Sequence, residues 1–100
     1  MKNLRFEQKI NQMLPNWKSF NVQFHDLLFD GESWSVNDSW TPIKDASRDM
    51  TIQWLKTRWE VFKLNYLPNA KVKDIEDIGD GDLCCLEVDC TAFATLTKGE

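Results

Sequence analysis

Residues 46–67 read ASRDMTIQWLKTRWEVFKLNYL, and Pro68 follows at once. Apolar residues recur every three or four positions with no Gly or Pro between them, which predicts a long helix that the proline terminates. Ser47 or Asp45 is placed to cap its start, because a short oxygen-bearing side chain can accept from the amides of the first turn. At about 100° per residue, Ile52, Leu55, Trp59, Phe62 and Tyr66 share one narrow stripe. Met50, Trp54, Val61 and Leu64 fall on nearly the opposite side, and Lys56, Lys63, Arg58 and Asn65 lie on the flanks between. A helix with two apolar faces is either covered twice or keeps one face for something else.

Upstream of this helix the apolar period becomes two. Phe20, Val22 and Phe24 alternate with Asn21, Gln23 and His25, Asp30-Gly31 supplies a turn, and Trp34, Val36, Asp38 and Trp40 resume the alternation. This predicts a β-hairpin. A three-residue loop, Asp30 to Glu32, pairs Val22 with Trp40 and Leu28 with Trp34 and keeps apolar residues on one face. A two-residue turn mixes the faces, so burial favours the longer loop. Nearer the N-terminus, Leu4, Ile10, Met13 and Leu14 stand among polar residues and Pro15 follows, which predicts a short amphipathic helix over 4–14. Trp17, in the connector, is placed to cap the end of the core.

Downstream, residues 71–78 are less regular, and Gly79-Asp80-Gly81-Asp82 is a turn signal. The clearest strand follows, with Cys84, Leu86, Val88, Cys90, Ala92, Ala94 and Leu96 inward and Leu83, Cys85, Glu87, Asp89, Thr91, Phe93 and Thr95 outward. Small Ala92 and Ala94 leave room for Trp59 and Phe62. The order helix, β-hairpin, long helix, β-hairpin predicts one α+β domain over residues 1–100, a mostly antiparallel four-stranded sheet with helices on one face. The other sheet face would carry Asn21, Gln23, His25, Ser35, Asn37, Ser39, Glu87, Asp89 and Thr91.

A chain of 100 residues, 42% apolar with 4 Gly and 3 Pro, is neither collagen-like nor disordered. Its net charge of −4 argues against general nucleic-acid binding, which needs a cationic surface. The outer sheet face, polar to acidic, lacks the aromatic and basic residues of an RNA-binding sheet. Charge is also sorted along the chain. Residues 19–43 hold four acidic and no basic residues, 74–89 seven and none, whereas 44–73 hold seven basic and three acidic. Both helices are thus cationic and both hairpins anionic. Cys84, Cys85 and Cys90 are odd in number and too crowded for a disulfide scaffold. With no apolar run of signal-peptide or membrane-span length, the expectation is a cytoplasmic protein without membrane contact.

Candidate chemistry is sparse. An EF-hand starting at Asp74 fails at Ile78 and Cys85, leaving only a loose cation site on Asp77, Asp80 and Asp82. Zinc spacing is missing from the cysteines, and the one nucleophilic set is Cys85 with His25 as base and Asp26 or Asp38 as orienter. His25 reads better as a surface histidine. No catalytic residue, metal or cofactor is therefore expected.

Two surface features remain. Asp74, Glu76, Asp77, Asp80 and Asp82 form an acidic edge suited to steering a basic partner. Trp54, with Met50, Val61 and Leu64, is either covered by the first helix through Ile10, Met13 and Leu14 or exposed as an aromatic anchor. Together they predict a small acidic protein-binding module, an inhibitor or immunity-type protein acting on a nucleic-acid-handling enzyme with a basic surface. A self-associating structural or accessory subunit, a homodimer in which cationic helices meet acidic hairpins, is the second reading. An enzyme using Cys85 and His25 or an Asp-bound metal is the third.

Overall fold

Ser47 sets where the long helix begins: its Oγ accepts from the Met50 amide at 3.2 Å and its carbonyl from the Thr51 amide at 3.0 Å. The computed structural model describes residues 2–66, 71–72, 74–75, 77–79, 81–84, 86 and 91–99. Its elements are α1 (Lys2–Met13), β1 (Phe20–Phe29), β2 (Trp34–Ala46), α2 (Arg48–Tyr66), β3 (Asp77–Gly79), β4 (Asp82–Leu83) and β5 (Ala94–Lys98). The strands form one sheet in the order β2-β1-β5-β4-β3, with every pair antiparallel. The expected α+β class and element order hold.

The first hairpin is in a different register from the expected one. Val22 pairs with Ile43, Phe24 with Trp40, Leu28 with Ser35 and Phe29 with Trp34. The turn explains the difference at the tip: the Asp30 carboxylate accepts from the Glu32 and Ser33 amides at 2.9 and 3.0 Å, and the Asp30 amide donates to the Ser33 carbonyl. Farther along, three register shifts insert extra β2 residues between Phe20 and Leu27. Such bulges break a period-two pattern. Leu27 and Trp34 are buried, while Leu28, Val36 and Trp40, all expected inward, are 52%, 50% and 37% exposed; Trp40 nonetheless keeps its ring on buried Phe24, at the margin of the core.

The second half of the sheet is divided among three short strands instead of two longer ones. After Leu83 the chain leaves β4 through Cys84 at φ 92, Leu86 forms an isolated bridge with Val72, and β5 begins only at Ala94. A left-handed residue reverses the alternation. Leu83, expected outward, is therefore buried; Phe93, also expected outward, is buried in the bend just before β5, and Cys84, Leu86, Ala94 and Leu96 are buried as expected. Val88, Cys90 and the remaining outer-face positions Glu87 and Asp89 lie outside the described residues.

Phe93 is the centre of the core. Its ring lies 5.1 Å from Trp59, 5.5 Å from Phe62, 6.2 Å from Phe24 and 6.4 Å from Phe6, joining α1, α2 and β1. Leu55, Trp59 and Phe62 of the first α2 stripe are buried, and Thr51 is buried with them, its hydroxyl donating to the Ser47 carbonyl. Trp17 packs on Phe20 at the end of the core as expected. Arg48 closes the same end: it donates to the carbonyls of Trp17 at 2.6 Å and Leu14 at 3.2 Å and lies 5.1 Å over the Phe20 ring. One cation thus satisfies carbonyls left over where α1 stops.

Candidate protein-docking surface

The second apolar stripe of α2 is not covered by α1. Met50, Trp54 and Leu64 are 54%, 42% and 76% exposed, and Val61 is half-buried. The expectation that the first helix packs over them is corrected by where α1 sits. Its buried residues are Phe6, Ile10 and Leu14, and Phe6 meets Trp59 edge-on at 6.4 Å. Trp59 lies about 140° around the helix from Trp54. Phe6 was outside the expected α1 stripe; the aromatic cluster around Phe93 draws it, and α1 with it, to the core side of α2. The side chain of Met13 is outside the described residues.

Arg58, one turn after Trp54 and so its neighbour on the helix surface, ties this flank to the sheet. Its guanidinium lies 5.1 Å over Trp40 and 5.6 Å over Phe24, whose own rings are 5.9 Å apart. Cation–π contacts of this kind contribute about 0.5–1 kcal/mol each where partly exposed. The exposed side of α2 therefore turns toward β2, the outermost strand, where Trp40 is itself exposed. Sequence reading missed this link because Arg58 falls on a helix flank and Trp40 was assigned to the core.

The expected acidic edge sits elsewhere. Asp77 lies in β3 opposite Leu83, and Asp82 lies half-buried in β4 opposite Thr95. Exposed Asp74 accepts through its Oδ1 from the Ile75 amide. Glu76, Asp80 and the Asp77 side chain are outside the described residues, so the loose cation site lies largely outside them too. The β3–β4 hairpin is at the opposite end of the strand order from β2, roughly 19 Å away at ~4.8 Å per strand. The structure thus does not bring that edge and the Trp54 flank together. The acidic residues nearer Trp40 belong to the first hairpin, where Asp26 and Asp38 stand directly opposite one another and both are exposed.

His25 is not a free surface histidine. Its Nδ1 lies 2.8 Å from Ser39 Oγ on β2 and its Nε2 2.8 Å from Thr95 Oγ1 on β5. The three side chains make a polar bridge over the sheet's middle, with Asp82 beside Thr95 in the next strand. Burial lowers the His25 pKa from its ordinary value, and the charge of Asp82 partly opposes that. Because both ring nitrogens engage hydroxyls, neither Asp26 nor Asp38 orients the ring as the catalytic reading required. Cys85 lies outside the described residues.

Among the described residues, no three His, Cys, Asp or Glu side chains gather in a way that could hold a metal ion, and no helix is long and apolar enough to cross a membrane. No family model, curated protein or solved structure matches the chain.

Proposed function

We propose that the chain is a non-enzymatic protein-binding module that docks on a basic partner through the Met50, Trp54 and Leu64 face of α2. The observation that supports it is the exposure of a tryptophan between two other large apolar side chains on a helix whose opposite stripe already fills the core. Buried tryptophans dominate binding energy at interfaces, and an apolar stripe left in water is costly unless something covers it part of the time. The net charge of −4 and its concentration in the hairpins favour a basic partner. A nucleic-acid-handling enzyme presents such a surface, since it must neutralise phosphates, and an acidic module seated there acts as an inhibitor or immunity-type antidote. Three cysteines crowded into seven positions, an odd number, suit a reducing, cytoplasmic setting.

The test compares three baits on one host lysate: wild type, Trp54→Ala with Leu64→Ser, and a charge-neutral surface change away from α2, each shown by circular dichroism to be folded. A basic protein recovered by the first and third baits and lost with the second supports this function. The same recovery by all three contradicts it. Light scattering on wild type at rising concentration separates the self-associating alternative, which requires a dimer that the Trp54→Ala, Leu64→Ser variant dissolves.

A further inference from the structure

The two halves of β2 are unequally guarded against strand pairing. It is the terminal strand of the sheet, so one side of its backbone meets no other strand among the described residues. Residues 41–46 carry the usual protections of an edge. Pro42 lacks an amide donor, Lys44 presents a charge, register shifts bend the strand between Phe20 and Phe24, and Asp45 turns the chain at φ 51. Residues 34–40, Trp-Ser-Val-Asn-Asp-Ser-Trp, have neither proline nor a basic residue, and their irregularity is confined to the step opposite Asp26 and Leu27. Seven residues of strand span roughly 23 Å, enough to pair with a peptide.

Two more observations identify what would pair there. Val36 and Trp40 are exposed on this half, and Arg58 joins Trp40 to the flank of α2 that carries exposed Trp54. An edge strand beside an apolar helix flank is the combination that receives an extended peptide by strand addition, backbone bonds giving affinity and alternate side chains specificity. The charge of the hairpin itself is one-sided: residues 19–43 hold Asp26, Asp30, Glu32 and Asp38 and no Lys or Arg, and the cation at the Trp40 end is Arg58 of α2, whose guanidinium lies over the Trp40 ring. A second copy of this chain would bring the same anionic edge against itself, which like charges in facing strands disfavour.

We propose that residues 34–40 of β2 accept an extended, basic segment of the partner as an added strand. Its apolar side chains meet Trp40 and Trp54, and its basic ones match the carboxylates of the hairpin. The inference rests on the docking function above for the basic character of the partner and goes beyond it in naming the segment and its mode of binding.

The probe is a blocked seven-residue peptide alternating lysine and valine, and the control is the same peptide N-methylated at every residue, which keeps charge and side chains but removes backbone donors. At low ionic strength the unmodified peptide should slow amide exchange within residues 34–40 by about tenfold or more, since an added strand closes those amides. It should also shift the Trp40 and Trp54 indole signals, and the N-methylated peptide should bind at least about tenfold more weakly. Equal affinity of the two peptides, no slowed exchange in residues 34–40, or no binding at about 1 mM peptide overturns the added strand. Trp54→Ala separates the two ideas. Slowed exchange that persists at unchanged affinity in this variant upholds the added strand and removes Trp54 from it. Indole shifts at Trp54 without slowed exchange in β2 leave the helix face standing and reject the strand.

Discussion

Replacing Arg48 with Met keeps a stem of similar length and removes the guanidinium that closes the end of α1. In the folded chain that group makes part-buried bonds to the Trp17 carbonyl at 2.6 Å and the Leu14 carbonyl at 3.2 Å, with exposed contacts to Asn11 Oδ1 at 3.1 Å and the Pro15 carbonyl at 3.5 Å. Hydrogen bonds to a charged group contribute about 1.5–3 kcal/mol when well buried, and half exposure puts these at the low end. The Phe20 ring contact adds about 0.5–1 kcal/mol, and the two exposed contacts add little. Arg48→Met should therefore cost about 3.5–4 kcal/mol. Arg48→Lys should cost about 1–2 kcal/mol, because an ammonium keeps its charge near the carbonyls at the end of α1 but sits on a shorter side chain and lacks the second nitrogen that reaches Asn11. Urea unfolding followed by tryptophan fluorescence measures both, with the midpoint falling at unchanged slope. Amide exchange should accelerate first in the last turn of α1. Losses below about 0.5 kcal/mol for both variants, or equal losses for Met and Lys, would refute the carbonyl clamp.

Phe93→Ala should destabilise by about 3–5 kcal/mol, as truncation of a buried aromatic does; a loss under about 1 kcal/mol would return Phe93 to the surface. Gly81→Ala should cost more than Gly31→Ala, both measured by urea midpoint. Both glycines have positive φ, but a Cβ at Gly81 runs into the Leu96 backbone carbonyl whereas one at Gly31 meets nothing. Equal costs would contradict the close approach of Gly81 to β5. His25 should titrate below 6.5 by NMR, and Asp82→Asn should lower its midpoint further by removing the opposing charge. Because the unfolded chain then binds the proton more readily, this contribution to stability is fully present above about 6.5 and is lost as pH falls through the folded value. His25→Gln should flatten that slope, and a His25 midpoint above 6.5 would refute the burial that causes it.

The long helix and the inner face of β1 were legible because each depends on a local period. Leu55, Trp59 and Phe62 repeat at helical spacing, Phe20, Val22 and Phe24 at strand spacing, and all six are buried. The misread positions are those where the backbone changes phase without a signal in side-chain chemistry. Extra β2 residues opposite the stretch from Phe20 to Leu27 shift the register of the first hairpin, and Cys84, a non-glycine residue with positive φ, turns Leu83 inward. Of the candidate site, Met50, Trp54 and Leu64 were legible as a stripe, whereas their exposure depended on which side of α2 Phe6 would choose. The partners of His25 could not be read at all, since Ser39 and Thr95 lie 14 and 70 residues away and meet it only through strand order.

The most direct test of the docking face is one variant measured twice against a captured basic partner. Trp54→Ala should leave the urea midpoint within about 0.5 kcal/mol of wild type, since Trp54 is exposed. On the partner it should speed dissociation by about thirtyfold or more, the equivalent of about 2 kcal/mol for an aromatic hot spot. A Trp54→Ala protein that is as stable as wild type and leaves its partner no faster would contradict the assignment of this helix face to binding.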